Sequence, residues 1–316
     1  AGWATLGMLV AFIEYTRRSF EPILMLSEQF AQIQTAFSAG ERIARMLMVE
    51  PTVQEAAQTV TPAHHEPRLD LQAVRFAYVP GHPVVDGVDL QIEPGQRVAI
   101  VGATGAGKTT LVKLLARYYD VNEGRILISG VDVRDLSLRD LRRFITVVPQ
   151  NPYVFNGTIA DNLRLFDRSI TREQMESAAR TACAAPFIER LPGSYDFVLL
   201  PGGANLSHGQ RQLLALARAL IHSPQSILVL DEATSNIDTE TEELIQQGLA
   251  QVLKDRTSLI IAHRLSTIRD ADRILVMKRG RIVEEGTHDA LLLRGGVYAQ
   301  LYQRQFAHAA LRAAGD

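Results

Sequence analysis

Between Thr5 and Met48 the only helix breakers are Pro22 and scattered glycines, and apolar residues return at helical steps. Leu26, Phe30, Ile33, Phe37, Ile43 and Leu47 recur at intervals of three, four and six, which predicts one long amphipathic helix. That periodicity stops at the segment 51–67, PTVQEAAQTVTPAHHEP, which holds three prolines and little apolar content and reads as a linker. His64 and His65 within it could ligate a metal. With neither a Cys nor a third His nearby, a solvated stretch is the expectation.

From Leu69 onward, short apolar runs bounded by turn residues take over. RVAIVG (97–102) has the pattern of a buried strand and leads straight into a glycine-rich loop, then into LVKLLARYY (111–119) with helical spacing. SILVLD (226–231), SLIIAH (258–263) and RILVM (273–277) are continuous apolar runs that suit parallel strands covered on both faces. Between Gln150 and His222 the pattern turns helical, in TREQMESAARTA and GQRQLLALARALI. The expected fold is an α/β core interrupted by a helical subdomain, with boundaries at 1–50 for the leading helix, 51–68 for the linker, 69–305 for the core and 306–316 for a tail.

Composition narrows the function. A chain of 316 residues, 47% hydrophobic and 22% charged, is that of a folded protein of one large domain or two modest ones. Its net charge of -2 gives no electrostatic footprint for nucleic acid, so no nucleic-acid partner is expected. The single Cys183 excludes an intrachain disulfide and fits a reducing, cytosolic setting. The chain starts at Ala1 rather than Met, which suggests a fragment or a processed product. Its opening AGWATLGMLVAFIEY is apolar only as far as Ile13, short of the roughly 20 residues of a membrane span. It also lacks the basic start of a signal peptide. Hydropathy leaves this segment unresolved.

Chemistry enters at GATGAGKTT, Gly102 to Thr110. Gly102, Gly107, Lys108 and Thr109 match the spacing G-x-x-x-x-G-K-[ST], with Thr104, Gly105, Ala106 and Thr110 completing the loop. Glycines let the backbone curl around a phosphate with N–H groups inward, and the helix that follows presents its positive end. Lys108 is expected to bridge the β- and γ-phosphates of ATP, and the Thr109 hydroxyl to hold Mg²⁺. SILVLDE places Asp231 at the carboxyl end of a buried strand, where ligands of open α/β sheets bind. Asp231 is thus positioned for the Mg²⁺ shell and Glu232 for the attacking water. A dipole-favoured acid pair at a helix start is the alternative for these two, and their place downstream of a phosphate loop favours the functional reading. His263 ends the strand expected beside them, and a contact with the γ-phosphate is its assigned role.

The stretch NLSHGQRQLLALARALIHSPQSILVLDEATSNID (205–238) resembles the signature-to-Walker-B block of ABC ATPases, with GATGAGKTT, LSHGQ and DEATSNID in the family's order. The resemblance covers nearly all of 69–305. It implies a P-loop NTPase fold of RecA-like core plus helical subdomain, and two such domains closing head-to-tail around two ATP molecules. Ser207 can cap a helix beginning at Gly209, so that a hydroxyl, backbone N–H groups and a helix terminus face one anion. In the family that anion is the γ-phosphate bound to the partner domain, which makes Ser207, Gly209 and Gln210 ligand-binding positions. By the same resemblance Tyr78, in VRFAY, stacks on adenine, with a plain core aromatic as the alternative. Gln150 contacts Mg²⁺ or water and senses the membrane domain, and Asp238 ends the loop that reaches across the dimer. Glu232, His263, Lys108 and Gln150 form the implied catalytic set. Two departures stand out: His208 where glycine is commoner, and VLLPGGAN, with Pro201, in place of a V-G-E-R-G run that reaches the coupling helices.

The leading segment is similar to the last membrane helix of ABC exporters, through its G-x-L-V-A-F start, Pro22 and the E-R-I ending. This implies the carboxyl-terminal part of a half-transporter, without its earlier membrane helices, in an inner or plasma membrane with the ATPase domain in the cytoplasm. Its partners are then a second nucleotide-binding domain, in a homodimer or heterodimer, and the membrane helices of both halves. Arg17 and Arg18 are expected either to line the transport path or to pair with Glu14 or Glu21. Two rival readings are a nucleotide-binding half that does not turn over and a soluble ABC ATPase.

Overall fold

The computed structural model describes residues 5–62, 67–231, 239–262 and 265–305. They form two compact units divided between Thr52 and Val53.

The first unit is the predicted long helix. Helix α1 runs from Leu6 to Leu47, 42 residues, or about 63 Å at 1.5 Å per residue. The Thr5 hydroxyl caps it by accepting from the Met8 N–H at 3.3 Å, and Pro22 sits inside without ending it. Thr16, Ser19, Ser27 and Thr35 each donate their hydroxyl to the carbonyl one turn back, at 2.7–3.0 Å, so these polar groups are satisfied within the helix. Arg18 pairs with Glu14 at 3.7 Å, the local partner open to it. No described helix is long and apolar enough to cross a membrane.

The second unit begins with an antiparallel pair, β1 (Leu69–Phe76) and β2 (Val85–Ile92), followed by β3 (Arg97–Val101) and α2 (Lys108–Leu115). Strands β4 (Glu123–Ile128) and β5 (Val131–Asp132) complete a four-stranded sheet of order β2-β1-β4-β5. After α3 (Leu138–Phe144) and β6 (Ile145–Val148), the chain enters the helical subdomain. There the short strands β7 (Gly157–Thr158) and β8 (Val198–Leu199) pair, and α4 (Ile159–Arg164), α5 (Arg172–Thr181), α6 (Ala185–Arg190) and α7 (His208–His222) pack together. Thr158 and Thr171 open α4 and α5 with capping boxes. The chain returns to the core through β9 (Ile227–Asp231), α8 (Thr239–Leu253), β10 (Ser258–Ile261), α9 (Leu265–Arg269), β11 (Arg273–Lys278), β12 (Arg281–Gly286), α10 (His288–Leu293) and α11 (Val297–Gln305).

The main sheet has six strands in the order β12-β11-β3-β10-β9-β6, parallel except for the β11–β12 hairpin. Its apolar runs are continuous because both faces are covered. Ala99, Val101, Leu228, Leu230, Ile260, Ile274 and Val276 face a core shared with the helical subdomain. Val98, Ile100, Ile227, Val229, Leu259 and Leu275 alternate with them and face α2 and the four-stranded sheet. This is the α/β fold with a helical insertion that the hydrophobic runs predicted.

Two boundaries differ from the sequence reading. The helical spacing of 111–119 carries α2 only to Leu115, because Arg117 turns left-handed at φ 51° and buries its side chain. Its guanidinium donates to Asp120 at 2.9 Å and to the Gln54 carbonyl at 2.8 Å. The stretch read as a solvated linker is therefore partly bound. Glu55 accepts from the Leu138 N–H at 2.8 Å, and the Val60 N–H donates to the Asp135 carbonyl at 2.9 Å. His64 and His65 lie outside the described residues, as do 306–316.

Candidate nucleotide site

The glycine loop leaves the carboxyl end of β3, a central strand of the sheet, and enters α2 at Lys108. A Cβ on Gly102 would stand 2.3 Å from the Met277 carbonyl oxygen, and one on Gly107 2.6 Å from that of Val84. Gly107 also holds φ at 106°, in the region that suits glycine. The loop is braced from behind by the β11–β12 turn: the Gly280 N–H donates to the Ala106 carbonyl at 2.9 Å, and the Asp86 N–H to Gly280 at 2.9 Å. Arg281 fastens that turn through a two-nitrogen pairing with Asp86 at 2.6–2.8 Å. Gly107→Ala is expected to lower stability by at least about 2 kcal/mol and to weaken ATP binding as well; thermal unfolding with and without ATP checks both.

The loop's own polar groups are left for a ligand. The Gly105 and Gly107 N–H groups donate to no acceptor among the described residues, and the first turn of α2 has unmade N–H bonds by its nature. Lys108 is 7% exposed and parks its ammonium on the carbonyls of Gly102, at 2.7 Å, and Ala103, at 3.1 Å. Burial pulls this ammonium below the ordinary lysine range, and the charge of Asp231 opposes the shift. Loop N–H groups without an acceptor among the described residues, glycines whose Cβ would clash and a buried cation fit an oligophosphate. Thr104, Gly105 and Thr109 are exposed, Ala106, Gly107 and Thr110 buried.

Tyr78 lies beyond β1 with its hydroxyl 3.3 Å from Thr110 Oγ1, which ties it to the loop helix. Phe76 and Tyr119 meet it edge-on, at centroid distances of 4.9 and 5.2 Å, and the Lys113 ammonium lies 5.8 Å from its ring centre. Tyr78 stays 45% exposed, so it is not a core residue.

Asp231 ends β9. Its pairing partner Ile261 in β10 also pairs with Ile100 of β3, so Asp231 and the start of the loop stand at one edge of the sheet. Gln150 follows β6, which pairs with β9 on the other side, and is exposed. Glu232, Asp238 and His263 lie outside the described residues. Ser207 is the N-cap of α7: its hydroxyl accepts from the Gln210 N–H at 3.2 Å, and the Gln210 side chain accepts from the Ser207 N–H at 2.9 Å. This reciprocal box starts the helix at His208, one residue earlier than the sequence suggested. Gly209 is buried in the first turn, and Ser207 is exposed.

Residues 85–235 match the family model of the ABC transporter. The chain carries an ABC transporter domain. It is 46% identical over 306 residues to an ATP-dependent lipid A-core flippase of Chromohalobacter salexigens, covering 96% of this chain and 52% of that one. It is 44% identical over 304 residues to a fatty acid ABC transporter ATP-binding/permease protein of Mycobacterium bovis, covering 95% and 47%. Among solved structures, a bacterial Atm1-family ABC exporter with ATP bound matches at a TM-score of 0.78 and 38% identity, over 96% of this chain and 53% of that one. The chain thus spans about half the length of the relatives it matches. It carries an ABC transporter ATP-binding domain, and ATP hydrolysis is the characteristic activity of such domains.

Within this ABC transporter domain, several supporting residues have no local sequence signal. Arg218 of α7 donates to the Asn162 carbonyl at 2.7 Å, the Tyr153 carbonyl at 2.5 Å and the Asn162 side chain. Asn162 is fully buried and also bonds both backbone groups of Phe155 at 2.9 Å. The segment after Gln150 is thereby fastened to the helix that Ser207 caps. No carboxylate among the described residues pairs with this guanidinium, and burial drops its pKa to about 10. Tyr119 and Gly280 are similarly silent in the sequence; the only cue to the latter is a glycine between two apolar runs.

Proposed function

We propose that this chain is the ATP-hydrolysing portion of an ABC exporter half, and that closure of two such domains head-to-tail around two ATP molecules drives export across a membrane. The observation that carries this reading is the pairing, in one domain, of a phosphate cradle with an exposed, capped helix terminus at Ser207. Each suits an anion, and the two belong to different sequence blocks of the family.

In this reading Lys108 and the loop N–H groups hold the triphosphate of ATP, and Tyr78 stacks on its base. Thr109, Gln150 and Asp231 would hold Mg²⁺, which supplies charge neutralisation at the phosphates. Glu232 orients the attacking water, His263 contacts the γ-phosphate, and Asp238 reaches the partner. Ser207, Gly209 and Gln210 of the partner complete the site. Tyr78→Ala is expected to weaken ATP binding about threefold to tenfold, and Tyr78→Trp to keep it, because an aromatic face is worth roughly 0.5–1.5 kcal/mol beyond its area. Equilibrium binding of a fluorescent ATP analogue measures both.

The exposed Tyr153, Phe155, Val198 and Leu200 suit contact with membrane-domain helices. They adjoin one another through the β7–β8 pair and through Asn205, which bonds Val198 and Leu200 at 3.0–3.1 Å. Their apolar character, with Pro201 in place of a glutamate, makes this contact less ionic than V-G-E-R-G would. Helix α1 supplies the last membrane helix, and its exposed apolar side chains would be covered by the other helices of the transporter. The cargoes for which two relatives are named, lipid A-core and fatty acid, make a lipid-like amphiphile the substrate class to test first. ATPase activity per mole that rises with protein concentration tests the paired site; activity independent of concentration to the nanomolar range would remove it.

A further inference from the structure

A cleft of about 310 Å³ lies beside the glycine loop, between the β11–β12 turn and α11. It shares residues 103–106 with the loop, whereas Lys108, Thr109, Tyr78 and Asp231 do not line it. Its lining is mostly apolar: Met277 is buried, and Val297 and Leu301 are half-buried. Around it stand Lys278, Arg279 and Arg304, all exposed, and none of the three is bonded to a carboxylate among the described residues.

The walls are held in place. Both oxygens of Glu284, on β12, accept from the first N–H groups of α11, those of Val297 at 2.5 Å and Tyr298 at 2.9 Å. His288 and the Tyr298 hydroxyl meet at 2.6 Å. The opposite wall is the turn that bonds to Ala106. Ligand pockets of small molecules run from roughly 300 Å³ upward and combine an apolar lining with a few convergent polar groups. Three cations with no carboxylate partner among the described residues, set around an apolar floor, select the ligand's charge.

We infer that this cleft binds a small amphipathic organic anion, its acyl or aryl part against Met277, Val297 and Leu301 and its carboxylate or phosphate among Lys278, Arg279 and Arg304. An occupant touches residues 103–106 of the loop beside the turn that braces Ala106. The site does not depend on dimerisation or on export.

The test is calorimetric titration of this chain with decanoate below its micelle-forming concentration, with decyltrimethylammonium as the charge-reversed control. Saturable binding at one site per chain is expected for decanoate and none for the cation. The double variant Lys278→Glu/Arg304→Glu changes only exposed positions and is expected to weaken decanoate at least about tenfold, or about 1.4 kcal/mol. Leu301→Ser should weaken it independently, and saturating ATP should leave it in place. Unsaturable binding, equal uptake of the cation or unchanged affinity in the double variant would overturn the assignment. So would displacement of decanoate by ATP, which would place it on the phosphate site.

Discussion

Lys108→Met is expected to lower ATP hydrolysis by at least about a hundredfold while leaving the fold intact. Methionine nearly matches lysine in length and fills the same buried channel beside the loop. What it removes is the ammonium, which in the free protein rests on the Gly102 and Ala103 carbonyls. Those two contacts keep the charge pointed into the loop, ready for exchange onto phosphate oxygens. A buried cation already depressed by desolvation contributes little to folding, since replacing buried charge by apolar volume is often neutral. Thermal unfolding without nucleotide should therefore change by only a few degrees, whereas the increase in unfolding temperature that ATP gives the parent protein should vanish. Steady-state phosphate release measures the first effect and a thermal shift the second.

Ser207→Arg is expected to have a comparable effect on turnover through a different route. The residue is exposed and its hydroxyl caps α7, so losing that cap costs about 1 kcal/mol of stability. ATP binding to the same chain should be nearly unchanged, because Ser207 is proposed to serve the partner's nucleotide. Hydrolysis should fall at least about a hundredfold, as a bulky cation takes the place of an oxyanion donor. The contrast between retained binding and lost turnover separates this variant from Lys108→Met, and nucleotide titration beside phosphate release reveals it.

Much of this was legible in the residues themselves. Runs such as SILVLD and SLIIAH suited strands covered on both faces, and the alternation of Leu228 and Leu230 with Ile227 and Val229 between two cores is the physical reason. The loop was readable because glycine spacing and a lysine encode a backbone shape locally. Ser207 was readable because a cap acts within three residues. The features that escaped depend on distant partners. Arg218 reaches Asn162 across 56 positions, and Arg117 stops α2 by burying its side chain against a carbonyl 63 residues earlier. Gly280 supports Ala106 from a hairpin at the far end of the chain. No window of neighbouring residues contains such contacts, so periodicity over-extended α2 and presented the bound stretch 54–60 as a plain linker.

Mixing two inactive variants tests the shared site most directly. Lys108→Met chains keep Ser207, and Ser207→Arg chains keep Lys108, so a mixed pair holds one intact composite site. Co-reconstituted at equal amounts, the two are expected to recover up to about a quarter of parental ATPase activity, since half the random pairs carry one working site of two. Mixed samples no more active than either variant alone, with mixed pairs verified by tag pull-down, would contradict a site built from two chains.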